Sequence, residues 1–555
     1  MLKSISIWAV SAIALLPGPF ALAQESAPND SSSVPSLAER DEVTGLTIRG
    51  SRATGVQDHP DAGISPASIQ SLLDAHFQTI AAGSPDAVLT FAQMQQAADQ
   101  VTAAYRKVGY LVSTAYVPRQ TVADDRILEI RVMEGRLGKV IVQGNQRYRN
   151  TALSGIAGGM EGLPVRQADI ESALLYARDL PGVSVSSVLQ PGENEGETDL
   201  VLVANEAKRP WSVNLSVDNY GTETSGRGRA QASLVWNSPL GRGDVLAVSG
   251  NYQFSPTSSR NGALSYSLPI SGFTGFSLLA GANQSELEIN DGPLAILELS
   301  GPSSQQYVGA DWKFINSATL QMTASARYIH ETSRFESLGI RLSDHRFDVA
   351  ELGASVRHMD SRWNGVNLAQ LSVRQSLKDD SQGMDIVSPF RDDDFTIARL
   401  TLMRMQYLSR TQRLQARVTG QYTGDGLPAM EQFQLGGHDS IRGYATGEAM
   451  GDRGYLLGLE YQVDAPGLGE RVSPFGGLSW RDILTLDVFA EHGQVRHLTG
   501  FAEDKQLSSG GVGMTLRVPT FHNLEFRLAG AVPLGSEDAS DGHSARLYAR
   551  LALTF

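Results

Sequence analysis

Residues 436–444 read GGHDSIRGY: a glycine pair, a histidine, an aspartate, and an arginine set between Ile441 and Gly443 and followed by Tyr444. The Arg442 guanidinium offers five donors in a fixed fork, a shape that suits a carboxylate. In a confined site it requires such a partner, because a buried charge left alone is strongly destabilising. Gly436, Gly437 and Gly443 permit backbone angles and close approaches that other residues resist. The expected partner is Glu491, further along the chain, with Asp439 and Asp487 as the alternatives. This is the chemistry of anchorage, not of turnover. The chain has no cysteine, and its ten histidines are scattered without HExxH or metal-ligand spacing. There is no GxSxG and no phosphate-cradling glycine loop followed by lysine. No catalytic residue, cofactor or metal is therefore assigned. Arg391-Asp392-Asp393-Asp394 reads as a solvated loop rather than a cation site.

The elements that must position Arg442 are strands. From residue 207 to 555 helical periodicity disappears and alternation takes over, broken by glycine and asparagine turns. WSVNLSV (211–217) puts Trp211, Val213, Leu215 and Val217 on one face and Ser212, Asn214 and Ser216 on the other. The last strand puts Leu547, Ala549, Leu551, Leu553 and Phe555 opposite Tyr548, Arg550 and Thr554. Arginine beneath an apolar face suits a transmembrane barrel, with lipid outside and a polar interior. A soluble sandwich alternates in the same way, but this texture continues without a helical break. Residues 424–452 form a glycine-rich loop between two such strands. On the later strand, Asp487, Phe489 and Glu491 face the lumen if Val488 and Ala490 face lipid, which also turns an aromatic ring inward.

Ahead of the strands the texture differs. Residues 1–23 read as a signal peptide, with Lys3, an apolar run and Ala21-Leu22-Ala23. Residues 24–41 are a polar arm. Residues 42–136 form an α+β unit whose helix follows Thr90, with Gln93 completing a capping box. Its apolar face is Phe91, Met94, Ala97, Ala98, Val101, Ala104, Tyr105 and Val108, and Gly109 ends it. Residues 137–206 repeat the theme on a smaller scale. A formal charge of −14 argues against a general nucleic-acid binder, which would show a basic face.

These residues resemble the two-partner secretion transporters, the TpsB-type haemolysin activation/secretion proteins. Tyr105, Gly109-Tyr110, Pro118-x-Gln120 and Glu134-Gly135 look like the family's first POTRA domain. Leu180-Pro181-Gly182, Pro191-Gly192, Gly196 and Asp199-Leu200 look like its second. The barrel-entry signature is Asp218-Asn219-Tyr220-Gly221, then Ser225-Gly226 and Arg229, followed by Asn237-Ser238-Pro239-Leu240-Gly241-Arg242-Gly243-Asp244. Ile441-Arg442-Gly443-Tyr444 matches the family's loop motif with isoleucine for valine. Phe489-x-Glu491-x-Gly493-x-Val495 matches its wall motif with glutamate for aspartate.

The resemblance implies a 16-stranded antiparallel barrel in the outer membrane, two periplasmic POTRA domains, and a loop folded into the lumen. It implies transport of a secreted partner without nucleotide hydrolysis, the partner being an adhesin, a haemolysin or a contact-dependent toxin. Client-binding candidates are Tyr110, Val112, Tyr116, Pro118 and Gln120, with the helix 168–180. Phe555 resembles the signal read by the barrel assembly machinery. The family's plug helix is not expected, because residues 24–41 are short and broken by proline and serine. The alternatives are an outer-membrane insertion factor of the same superfamily, which usually carries more POTRA repeats, and an outer-membrane barrel enzyme.

Overall fold

The computed structural model describes residues 45–80, 87–122, 125–222, 226–255, 259–289, 295–382, 388–389, 391–392, 394–498, 503–535 and 537–555. The proposed signal peptide and polar arm, and with them the plug question, lie outside these residues, as do Ser225 and Asp393.

The first unit packs the helices Pro66–Ile80 and Phe91–Lys107 on a three-stranded sheet. In that sheet Ile127–Met133 lies between the parallel Gly50–Thr54 and the antiparallel Thr114–Tyr116. The second helix starts as its sequence dictates: the Thr90 side chain accepts from the Gln93 amide and Gln93 reaches back. Met94, Ala97, Ala98, Val101 and Tyr105 enter the core. Phe91 and Val108, expected on the same face, are 50% and 38% exposed, since they sit at the helix ends beyond the reach of the sheet. Gly109 leaves the helix at φ 94°. Glu134 is buried and accepts from Tyr105 Oη at 2.7 Å and the Gln57 amide at 3.0 Å. Burial, together with the Glu134 carboxylate, pushes the Tyr105 hydroxyl well above its ordinary pKa.

The second unit has a sheet ordered Arg136–Gln143, Glu197–Glu206, Val183–Pro191, covered by the helices Asn150–Ser154 and Gln167–Arg178. The two units are joined through backbone bonds: Leu111 donates to Val165 O and Gln167 to Gly109 O. Two expected client contacts are corrected here. Tyr110 is 1% exposed, its ring packed edge-on against Tyr105 with the Arg166 guanidinium over it. Val112 packs against the core of the second unit. Both residues are consumed by the junction. Gln120 is committed as well, donating to Glu129 O and accepting from Glu129 N, both at 2.8 Å, which fills part of the sheet edge. Tyr116 and Pro118 stay half-buried.

Sixteen antiparallel strands then close into a barrel, Trp211–Asp218 pairing with both Gly228–Asn237 and Arg546–Thr554. Val248, Val308, Leu352, Val488, Val512 and Leu547 are among the large apolar residues left exposed on its outer wall. Such a belt needs lipid to cover it. No helix among the described residues is long and apolar enough to cross a membrane.

The NSPLGRGD segment is the turn that receives the second unit. Asp244 is fully buried and accepts from the Leu240 and Arg242 amides and from Tyr266 Oη. Against this turn the Arg149 amide donates to Gly241 O at 2.8 Å. On a neighbouring turn Asp179 takes Lys313 Nζ at 2.6 Å and Asn316 Nδ2 at 2.9 Å. The second unit therefore marks one end of the barrel, the end that the resemblance places in the periplasm.

Candidate functional site

The segment between the strands Gln412–Thr423 and Arg453–Asp464 does not stay outside the barrel. It forms a short hairpin, Phe433–Leu435 against Ala449–Gly451, whose tip is the GGHDSIRGY sequence. Gly436, Gly437 and Gly443 each sit near φ 98°, a region closed to most side chains. They also have no room for one: a Cβ on Gly436 would lie 2.1 Å from Ala445 O, and one on Gly443 3.1 Å from the Val532 carbonyl carbon on the wall.

This turn presents Arg442 to the wall. Glu491 takes the Arg442 backbone N–H at 2.6 Å on one oxygen, and Nε at 2.8 Å with Nη2 at 2.7 Å on the other. Glutamate thus reaches the arginine with both oxygens engaged, and Ser509 Oγ donates to it at 3.3 Å. Glu460, on the adjacent strand, takes Arg442 Nη2 at 3.1 Å. The guanidinium lies 3.2 Å over the centre of the Phe489 ring, so the aromatic side chain that turns inward is a cation platform. The third wall residue, Gly493, is an absence of side chain. A Cβ there would stand 2.7 Å from Tyr455 O, 2.9 Å from Leu435 Cδ2 and 3.1 Å from Ile441 Cδ1. Ile441 and Tyr444 are fully buried with Leu435, Ala449, Leu456, Val495 and Leu507. Phe489, Glu491 and Gly493 thus supply a platform, a charge and a space for one loop tip.

The barrel-entry residues support the same tip from the closing seam. Asp218 pairs with Arg229 at 2.6 Å, both buried, and Arg229 lies over the Tyr220 ring. Tyr220 stacks on His438 of the loop, ring centroids 4.1 Å apart, and meets Tyr548 edge-on. Tyr548 Oη accepts from the Gly443 amide at 3.1 Å and donates to Tyr444 O at 3.4 Å. Asn219 bridges the seam with its side chain, donating to Leu547 O and accepting from the Ala549 amide, both at 2.8 Å. Gly221 passes so close to Gly226 that a Cβ would overlap its carbonyl oxygen, and Gly226 takes φ 105°. Phe555 ends the seam, exchanging backbone bonds with Val213.

The base of the loop has a second anchorage that sequence reading did not find. Glu431, 1% exposed, lies 3.1 Å from Arg374 and 2.6 Å from Arg399 on the wall, and Arg374 also holds Glu331 at 2.6 Å. Asp452, at the other foot, accepts the Leu427 amide at 2.9 Å and the Leu498 amide at 2.8 Å. The only advance signal was phase, since Glu331 and Arg374 fall on lumen-facing positions, and a polar lumen is full of such residues. Asp439, one alternative partner for Arg442, instead contacts Arg417 through its backbone oxygen at 3.0 Å. Asp487, the other, lies 3.5 Å from Arg527. Among the described residues no cluster suited to a metal ion is present.

Comparison with known proteins agrees with this geometry. The family described as haemolysin secretion/activation protein ShlB/FhaC/HecB matches residues 196–516, and the ShlB-type POTRA domain matches residues 62–135. The hemolysin transporter protein ShlB of Serratia marcescens is 27% identical over 413 residues, covering 72% of this chain and 71% of its own. Among solved structures, CdiB from Escherichia coli has a TM-score of 0.68 at 20% identity, over 96% of this chain and 94% of its own. BamA from Haemophilus ducreyi lacking POTRA domains 1–3 has a TM-score of 0.53 at 14% identity, over 92% of this chain and all of its own. These last two likenesses are likenesses of fold.

Proposed function

The chain belongs to the haemolysin secretion/activation protein family, and from that membership we propose that it exports one large exoprotein through its barrel. It is an outer-membrane protein with its POTRA domain on the periplasmic side. The partner is an adhesin, a haemolysin or a contact-dependent toxin. Residues 42–136 and 137–206 act as two POTRA units that receive it unfolded in the periplasm. Tyr110 and Val112 are taken by the junction, so the docking edge is read as Val183–Pro191, one of the two edge strands of its sheet, with Val188 55% exposed. An extended client adds a strand there through backbone hydrogen bonds. Passage uses no nucleotide. Folding of the client outside the cell draws it forward.

The observation that carries the reading is the loop tip held inside the barrel by Arg442, Glu491, Glu460 and Phe489. An interior element fixed by one polar cluster and one small apolar core gives the passage a removable part. The relatives are named transporters, which favours transport over catalysis. Co-expression with a candidate exoprotein of one of these classes tests the proposal. Release of that protein to the cell surface or medium supports export. Client inserted in the membrane as a barrel supports the insertion-factor alternative instead.

A further inference from the structure

Three strands on one side of the barrel, Leu320–Ser337, Ile340–Asp360 and Gly365–Asp379, are longer than a membrane requires. A tilted strand crosses in about 9–11 residues. Counted from the periplasmic turns, which the second unit marks through Asp179 and Asn316, they have crossed near His330, Ala350 and Gln375. On their outer face the residues up to that level are lipid-facing, with Tyr328 46% and Leu352 65% exposed. Because side chains alternate, the same face continues upward through His330, Thr332 and Arg334 on one strand and Asp348, Arg346 and Asp344 on the next. The register aligns them in rows: His330 with Asp348, Thr332 with Arg346, Arg334 with Asp344.

These rows enclose a polar cleft of about 440 Å³, also lined by Lys378 and Asp380. Its carboxylates are unevenly shared. His330 pairs with Asp348 at 2.7 Å and Lys378 with Asp380 at 2.5 Å. Three arginines converge on the buried Asp344: Arg341 at 2.9 Å, Arg346 at 3.3 Å and Arg334 at 3.8 Å. Glu336 adds one carboxylate, 3.7 Å from Arg334. Arg334, Arg341, Arg346 and Lys378 thus face Asp344, Glu336, Asp348 and Asp380, a balanced set with His330 counted neutral, in which Arg334 has the longest ion-pair distances. The Arg334 Nε is buried without a hydrogen-bond acceptor among the described residues. Guanidinium forks with unspent donors suit phosphate oxygens.

We propose that this cleft binds the phosphate of a phosphorylated glycolipid headgroup in the outer leaflet. The depth of the cleft selects lipid over free phosphate, since it opens directly above the apolar belt, at the level of headgroups. The three converging arginines and the unspent Arg334 donor select phosphate. The phosphate competes with Asp344 for the arginines, which gives the idea a distinctive signature.

The test uses the full-length chain in detergent, with bound lipid counted by native mass spectrometry. The probes are a bis-phosphorylated diglucosamine lipid, the same lipid dephosphorylated, and inorganic phosphate. The phosphorylated lipid is expected to bind at least about tenfold more tightly than its dephosphorylated form. Arg346→Ala and Arg334→Ala each remove about tenfold of that preference. Asp344→Asn increases it, whereas a merely structural role for Asp344 predicts a loss. Mobility of the unheated barrel on electrophoresis reports folding of each variant, and the comparison of probes on the unaltered chain stands even if a variant fails to fold. Equal binding of both lipids overturns the proposal, as does binding that the arginine substitutions leave unchanged. Competition by inorganic phosphate as effective as by the lipid also overturns it, by making this a free-anion site.

Discussion

Arg442→Ala is the substitution whose consequences the structure specifies most fully. It removes the one side chain that, among the described residues, is bonded to both Glu491 and Glu460, and leaves Glu491, 6% exposed, without its hydrogen-bonded counter-charge. Breaking a buried pair from one side costs about 3–5 kcal/mol, and the lost contact with the Phe489 ring adds about 0.5–2 kcal/mol. The tip keeps the Gly443 amide bond to Tyr548 and the Tyr444 hydroxyl bond to Glu537 O, each worth about 0.5–1.5 kcal/mol. The base keeps Glu431 and Asp452. The tip should therefore undock while the barrel stays closed. A loss of about 3 kcal/mol raises the undocked population roughly a hundredfold. The chain contains no cysteine, so Ser440→Cys places a single thiol on the tip. Its labelling by a polar thiol reagent should quicken by about that factor when Arg442→Ala is added. Adding Glu491→Gln as well removes the orphaned charge and should recover part of the difference, because the two residues are coupled. An unchanged labelling rate in Arg442→Ala would refute the claim that this ion pair holds the tip.

Gly493→Ala should act like a wedge, since its Cβ meets the immovable Tyr455 carbonyl as well as Leu435 and Ile441. Overpacking of about 1–3 kcal/mol should speed labelling of the same tip thiol, and slower labelling would contradict it. Arg374→Ala leaves Glu431 and Glu331 buried with reduced compensation and should expose the base of the loop, near residues 427–432, to external protease while the tip stays protected. Val188→Lys places a charge on the open sheet edge and should lower export while circular dichroism of the chain stays unchanged; normal export would point to another docking edge. In the second unit, burial by itself would raise the Glu206 carboxyl, but the amides of Tyr148, Gln146 and Arg147 and the Arg147 charge hold it below the usual carboxylate range. A depressed folded-state pKa gives stability that is present above the unfolded value and lost as pH falls through the folded one. Amide exchange at residues 146–148, corrected for intrinsic rate, should lose protection in that acidic window, and Glu206→Gln should abolish the pH dependence.

The parts of this molecule that alternate or cap were legible because their physics is local. The capping box at Thr90 and Gln93, the outward rows of the first and last strands, and the inward phase of Asp487, Phe489 and Glu491 all follow from periodicity. Arg442 was legible as a residue in need of a carboxylate, because glycine turns and a guanidinium together imply confinement. The remaining partners were hidden for one common reason. Glu460, Tyr548 and Arg374 lie on lumen-facing positions of separate strands and Glu431 on the loop they surround, where polar side chains are the norm and sequence distance says nothing about proximity. Tyr110 misled for the opposite reason: an aromatic at a helix end reads as a docking group, and only the neighbouring unit shows that it is already covered. The turn from Asn237 to Asp244 was visible as a signature, but its task of receiving the second unit emerged from the contacts of Arg149 and Gly241.

The central claim is that this barrel passes a protein, driven by nothing in the chain itself. The direct measurement is a purified one. The chain is reconstituted in liposomes with its POTRA units outward, and an unfolded exoprotein whose surface release depends on this chain in cells is added without nucleotide. Protease protection of the client is then followed over time. The account predicts that the client becomes protected in liposomes holding the unaltered chain and stays digestible in liposomes without it. Client that stays digestible with the unaltered chain, or becomes protected equally in liposomes lacking it, would contradict the account.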